Sequence, residues 1–351
     1  MAHPIPSNGT LGELLWQESR QQADHRRRAL ERAARAARLW PEEASDLAGA
    51  GRSLTELPSV GPWIAGRLQE WLDEPPPPIE PEPTRRGFLT WAEVRRALGP
   101  DADWEARPHG DLQVHSTDSD GALPLADMAA AAEALGRTYI ASTDHSQSLR
   151  IAHGMDEAML ERHNREVDRL NAGFVDQGSG FTILRSIEMD VLEDGSGDMD
   201  PAALASLDLV LGAFHTKLRV TDDATDRYLA ALRNPTVHVL AHPVARMYGR
   251  RVGLTADWSH VFEEAARLGK AVEIDATPAR QDLNVELARI AVASGVRWFS
   301  IGSDAHVAAE LEFLPFGLAI AALAGVPRER ILNYRSADEV RAWARAVGDH
   351  D

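Results

Sequence analysis

Histidines and carboxylates recur at equivalent places along this chain. His115 closes the run DLQVHS, His145 follows TYIASTD, Glu188 lies within TILRSIEMDVL, His215 ends LVLGAFH, His242 ends VHVLAH, and Asp304 and His306 end WFSIGSDAH. The chain has no cysteine, so any metal must be held by imidazoles and carboxylates. That donor set suits Zn²⁺, Mn²⁺ or Fe²⁺, whereas an oxygen-only shell would favour Mg²⁺ or Ca²⁺. There are more donors than one ion can use, so two or three ions are expected, with a shared carboxylate as a bridge. Clustered ions polarise a phosphoryl group and lower the pKa of a bound water. Phosphate ester hydrolysis is therefore the first reaction class to consider.

Residues so far apart can meet only if the fold gathers them. The runs are short, rich in Val, Ile and Leu, and separated by helical stretches, and AVEIDAT makes a seventh. Such alternation implies parallel strands with crossover helices, and seven units predict an α/β fold closed as a barrel. The C-terminal strand ends of a parallel barrel meet at one face, which would bring the donors into one pocket.

The rest of the chain frames this site. At 351 residues it can hold a large domain and a smaller one, and its formal net charge of −17 argues against a broad basic surface. The absence of cysteine, of a signal peptide and of any membrane-length apolar run predicts a cytoplasmic protein with no membrane partner. The expected boundaries are a helical domain over 1–74, a proline-rich linker over 75–87 (PPPPIEPEPTRRG), a short helical connector over 88–108, and the barrel over 109–351. In the connector, Thr90 caps a helix that Gly99 and Pro100 stop. In the helical domain, HRRRALERAARAAR reads as a solvated helix face.

Residues 54–72, LTELPSVGPWIAGRLQEWL, place a proline and glycine turn between two helices, with Ile64, Leu68 and Leu72 on one face of the second. The stretch resembles a helix-hairpin-helix motif, in which backbone N–H groups at the turn meet a DNA phosphate. Ser59 stands where the motif usually has its first glycine, Val60 fills the apolar position, and Gly61 matches the second glycine. With Trp63 these are the candidate DNA-binding residues.

The strings DLQVHSTDSDG, ASTDHSQSLRIAHGM, SIEMDV, GAFHT, LAHP and GSDAH, in that order, resemble the motifs of the polymerase and histidinol phosphatase (PHP) superfamily. They are most similar to the PHP domain at the C-terminus of bacterial family X DNA polymerases. The resemblance implies a distorted (β/α)7 barrel with a trinuclear centre. One ion would be held by Gln113, His115, Glu188 and Asp304, a second by Glu188, His215 and His242, and a third by Asp120, His145 and His306. Gln113 stands where the family usually has histidine, and its neutral carbonyl is a weaker donor. Glu188 and Asp304 are the candidate catalytic carboxylates. Lys217 and Arg246, beyond strand ends as are Arg150 and Arg280, are candidates to steady a phosphate.

No segment before residue 109 carries the paired strand aspartates of a nucleotidyl transferase, so hydrolysis without synthesis is expected. The resemblance implies a DNA-processing phosphoesterase, a 3′–5′ exonuclease with 3′-phosphatase activity, using Mn²⁺ or Zn²⁺ in DNA repair. The alternatives are a small-molecule phosphatase of the histidinol phosphatase type and a non-catalytic DNA-binding scaffold with a degenerate barrel.

Overall fold

The computed structural model describes residues 3–99 and 108–348. The chain divides into two compact units, 1–99 and 100–351.

The first unit contains α1 (Asn8–Ser19), α2 (Asp24–Ala36), α3 (Ala44–Gly49), α4 (Pro62–Asp73) and α5 (Trp91–Leu98). Leu11, Leu14 and Leu15 of α1 share one core with Leu30, Ala33 and Ala34 of α2 and with Ile64 and Leu68 of α4. Trp40 is fully buried there, its indole N–H donating to the Pro58 carbonyl at 3.0 Å. The Arg-rich side of α2 is left to solvent, as its charge balance predicts. On α5, Thr90 and Glu93 form a reciprocal capping box, and Gly99 follows with φ of +59°.

The proline-rich run departs from expectation. Ile79 packs against the helical core, and Arg85 donates to both carboxylate oxygens of Glu13, with both side chains under a tenth exposed. Extended proline-rich backbone forms no regular hydrogen-bonded ladder, and this run adds a turn in which the Arg85 N–H donates to the Glu82 carbonyl, so these side-chain anchors hold it to the helices. The unit boundary accordingly falls after Gly99 rather than within 75–87. Residues 88–99 of the expected connector belong to the first unit, and 100–107 lie outside the described residues.

The second unit is a parallel sheet in the order β1-β2-β3-β4-β5-β6-β7. The strands are β1 (Gly110–Val114), β2 (Tyr139–Ser142), β3 (Thr182–Asp190), β4 (Leu209–Ala213), β5 (Val239–Leu240), β6 (Ala271–Asp275) and β7 (Trp298–Gly302). Its helices are α6 (Leu125–Ala134), α7 (Glu157–Asp176), α8 (Pro201–Leu204), α9 (Thr225–Arg233), α10 (Trp258–Arg267), α11 (Val285–Ala293), α12 (Leu314–Ala324) and α13 (Ala337–Gly348). Just beyond β7 the chain returns to β1: the Asp304 N–H donates to the Gln113 carbonyl at 3.1 Å and the His115 N–H to that of Ala305 at 2.9 Å. These bonds nearly close the barrel, so the seven-unit expectation holds.

Strand alternation divides the barrel into layers. Leu184, Leu209, Leu211, Val239 and Ala271 form an apolar lower core with Val340 and Ala344 of α13, which covers that end. Ile140 and Ile183 instead share a core with Met128, Ala129 and Ala132 of α6. Above the apolar layer the same inward register continues in polar residues: Ser186, Glu188 and Asp190 on β3, and Glu273 and Asp275 on β6, all buried. Gly302 is required at this level, since a Cβ there would lie 2.5 Å from Gln113 Cβ and 2.7 Å from Glu273 Oε1.

Candidate metal centre

Glu188 sits near the end of β3, the longest strand, fully inside the barrel. Its Oε1 faces His215 Nε2 at 3.1 Å and His242 Nε2 at 2.7 Å; its Oε2 faces His145 Nδ1 at 3.1 Å and His115 Nε2 at 3.5 Å. One carboxylate thus serves four imidazoles from four strand ends, which is the geometry of a bridging group. On one flank His115 Nε2 lies 3.0 Å from Asp304 Oδ1. On the other, Asp120 Oδ1 lies 3.2 Å from His306 Nε2 and 3.6 Å from His145 Nε2. The His115 and His306 rings stack with centroids 4.3 Å apart. Of four sets of donor atoms that converge within 4.8 Å among the described residues, three overlap here: His115, Asp120, His145 and His306; His145, Glu188 and His215; and His115, Glu188 and Asp304.

The residues fit divalent metal ions on an independent count. His115 Nδ1 and Nε2, His145 Nδ1, His215 Nε2, His242 Nδ1 and Glu188 Oε2 are buried without a hydrogen-bond partner. Buried polar atoms are rarely left so, and a cluster of orphaned ligand atoms is what bound cations would satisfy. Both amide atoms of Gln113 are likewise buried and unpartnered, beside Gly302 and Glu273.

Charge in the cluster is distributed unevenly. Burial acts against charge on His215, but Glu188 and Asp190 outweigh it and raise its pKa to about 9. Burial is likewise overcome at His306, where Asp120 and Asp304 raise it to about 10. His145 goes the other way, pushed down to about 4 by burial. Glu188 stays well below the carboxylate range because its surrounding imidazoles, His145 first, outweigh its desolvation. Asp304 is also held low, against burial, by Arg280 and His115.

Several groups that support the ligands are not apparent from strand-end logic. Asp190 Oδ1 meets His215 Nδ1 at 2.8 Å and so turns Nε2 toward Glu188. Its position two residues beyond Glu188, on the same strand face, was the available signal. Arg280 reaches Asp304 Oδ2 at 3.2 Å and Asp275 Oδ2 at 3.4 Å, so it holds a candidate ligand in place. Glu273 Oε2 accepts from the His242 N–H at 2.8 Å, while burial followed by the neighbouring Asp275 charge keeps its carboxyl well above its ordinary pKa. Asp144 accepts from Ser116 N–H, Ser116 Oγ and Ser119 Oγ, pinning the loop that carries Asp120 rather than holding an imidazole. Asp118 pairs with buried His163 of α7 at 2.6 Å. Lys217, His242, Ala245, Gln281 and Asp304 all have positive φ, a concentration of unusual backbone at the loops beyond the strands.

The remaining candidates fall less centrally. The Lys217 ammonium is exposed and committed to Glu193 at 2.6 Å. Arg246 is buried, with burial lowering its pKa to about 10 against the pull of Asp282. In the first unit, Ser59 and Gly61 are exposed and Trp63 is 38% exposed, with Arg26 over its ring at 5.2 Å. Val60 is packed in the core and gives its N–H to the Leu57 carbonyl. Its part in any contact is therefore packing, because neither its side chain nor its N–H faces outward.

No family model matches the chain. Two curated relatives are informative. DNA polymerase/3′-5′ exonuclease PolX of Bacillus subtilis is 37% identical over 237 residues, covering 67% of this chain and 41% of PolX. A "Probable phosphatase" of Tolumonas auensis is 29% identical over 233 residues, covering 64% of this chain and 88% of that protein. The chain thus spans about two fifths of PolX. Among solved structures, histidinol phosphate phosphatase from Lactococcus lactis aligns at a TM-score of 0.40 with 16% identity, covering 59% of this chain and 90% of that one, too distant to bear on the chemistry. A 237-residue match cannot be contained in the 99-residue first unit and must run through much of the barrel, where the strand-end donors lie. The chain belongs to the PHP superfamily.

Proposed function

We propose that this chain is a metal-dependent phosphoesterase acting on DNA, a 3′–5′ exonuclease that also removes 3′-phosphates, in repair. The observation that carries the reading is the convergence of four imidazoles on the two oxygens of Glu188, with their ligand atoms otherwise unpartnered. The preference for DNA rests on the likeness to PolX and on the hairpin of the first unit. There Gly61 precedes α4 with nothing within 4 Å of where a Cβ would stand, which leaves backbone open to a phosphate.

The donors would hold two or three divalent ions: Gln113, His115, Glu188 and Asp304 for one, Glu188, His215 and His242 for a second, and Asp120, His145 and His306 for a third. Mn²⁺ and Zn²⁺ suit this set, with Fe²⁺ a further match. Bound ions supply Lewis acidity and a water acidic enough to attack phosphorus at neutral pH. The chain's own residues do the rest. Asp190 and Arg280 fix the orientations of His215 and Asp304, and Glu188 holds both flanks of the pocket at one spacing. The buried walls exclude bulk water and so strengthen each charge interaction. Arg246 and Lys217 would serve as cations for non-bridging oxygens, Lys217 at the expense of its pair with Glu193.

The test is a panel of labelled 3′-recessed DNA, the same DNA ending in a 3′-phosphate, and histidinol phosphate, each assayed with Mn²⁺ and with Zn²⁺. Release of mononucleotides or phosphate from the DNA ends is expected. Turnover of histidinol phosphate alone would replace the reading by a small-molecule phosphatase, and no turnover by a metal-loaded protein would leave a binding scaffold.

A further inference from the structure

A groove of about 490 Å³ opens beside the metal centre, lined by His215, Lys217, Leu218, Arg219, Val220 and Arg251. In a chain of net charge −17, three of its six lining residues are cations. Lys217 is neutralised by Glu193. Arg219 and Arg251 have no carboxylate partner among the described residues; Arg251 donates only to the Ala245 carbonyl. The Arg251 guanidinium is held below its ordinary pKa first by burial and then by the neighbouring charges of Arg280 and Arg219, against the weaker pull of Asp282. Arg280 in turn is matched by Asp304 and Asp275, so the positive charge with no carboxylate in contact lies at Arg219 and Arg251, with Asp282 acting on Arg251 only from a distance. Two unpaired guanidiniums brought close together cost electrostatic energy unless an anion comes between them.

We propose that Arg219 and Arg251 form a subsite for a second phosphate of the substrate, adjacent to the phosphate hydrolysed at the metal centre. The groove shares His215 with that centre, so an anion held by the two arginines neighbours the reacting one. The substrate this geometry fits is a nucleotide strand, with a phosphate on each successive sugar, rather than a phosphomonoester. The inference rests on the phosphoesterase reading and narrows its substrate.

The experiment compares a thymidine dinucleotide with a single internal phosphodiester against the same dinucleotide carrying one extra terminal phosphate, at the 5′ or the 3′ end. Thymidine 5′-diphosphate is a third arm. The metal-loaded full chain should favour one of the extra-phosphate dinucleotides by about tenfold or more in kcat/KM, chiefly through KM. The double variant Arg219→Gln/Arg251→Gln should reduce that preference to about twofold or less, the two guanidiniums together supplying most of it. Arg219→Lys/Arg251→Lys should restore part of it, since charge remains but the bidentate fork is lost. Arg297→Gln, at the opposite end of the barrel beside Trp298, should leave the preference at the wild-type value.

Equilibrium binding of a fluorescent extra-phosphate dinucleotide gives a readout that needs no turnover. There the Gln variant should flatten the dependence of log K on log salt by about one for each phosphate it no longer grips. A wild-type protein with no preference, or a preference that survives in the folded Gln variant, would overturn the subsite. An arginine-dependent advantage confined to the diphosphate would overturn the strand assignment. If no phosphoester is turned over, the phosphoesterase reading fails by itself, and the binding arm still decides the subsite. If the Gln variant does not fold, as judged by circular dichroism, the single variants Arg219→Gln and Arg251→Gln carry the same comparison.

Discussion

Metal loading should expel protons, and the structure identifies which ones. In the metal-free protein His215 has a pKa of about 9 and His306 of about 10, both raised by adjacent carboxylates against the effect of burial. His145, lowered to about 4 by burial, carries no proton near neutrality. An imidazole must be neutral to ligate, so each ion that takes His215 or His306 displaces one proton. At about pH 7 both rings are almost fully protonated, and about one proton should be released for each of these two ions. Affinity for each should rise about tenfold per pH unit, levelling near the pKa of its own ring.

The sign for stability is the reverse. A raised histidine pKa stabilises the metal-free fold fully below the unfolded value of about 6.5, and that stabilisation is lost as pH rises through 9 to 10. Thermal melts of chelator-treated protein should therefore decline over that window, and melts of metal-loaded protein should not. Calorimetric titration with Mn²⁺ or Zn²⁺ in two buffers of different ionisation heat gives the proton count directly. The substitution Asp190→Asn sharpens the test: it removes a carboxylate that holds a proton on His215 and orients the ring. Proton release by that ion should fall, and its affinity should drop by about 10- to 100-fold. Proton release near zero in the wild type, with flat affinity from neutral to alkaline pH, would refute the reasoning.

Other consequences can be checked on the purified chain. Ser59 has φ of +65°, so Ser59→Gly should stabilise the first unit by about 1 kcal/mol in denaturant melts. Arg85 and Glu13 form a nearly buried pair; Arg85→Ala should destabilise that unit by about 3 kcal/mol, whereas truncating the exposed Arg86, paired with exposed Glu80, should change it by less than about 1 kcal/mol. Gly302→Ala would drive a methyl into Gln113 and Glu273; a loss of about 2 kcal/mol or more in barrel stability is expected, together with reduced metal content by elemental analysis.

Much of this architecture was legible because the two periodicities that build it are local. Runs of Val, Ile and Leu separated by helical stretches mark all seven strands, and a donor at the strand ends marks His115, His145, Glu188, His215, His242, Asp304 and His306, which the barrel brings together around Glu188. What escaped depends on side chains meeting across the barrel. Asp190 and Glu273 occupy inward positions whose meaning comes only from the ligand each supports, His215 and His242, on neighbouring strands. In sequence Arg280 is one of several loop cations, distinguished only by its contact with Asp304, and Arg219 and Arg251, thirty-two positions apart, share a groove that no periodicity announces. The proline-rich run illustrates the same limit. Its composition dictates extended backbone, but whether that backbone spans open solvent or lies on a helical surface is decided by Ile79 finding the core and Arg85 finding Glu13. Composition sets the conformation of such a segment; distant partners set its place, and the polar groups that tune a site are found by the same kind of pairing.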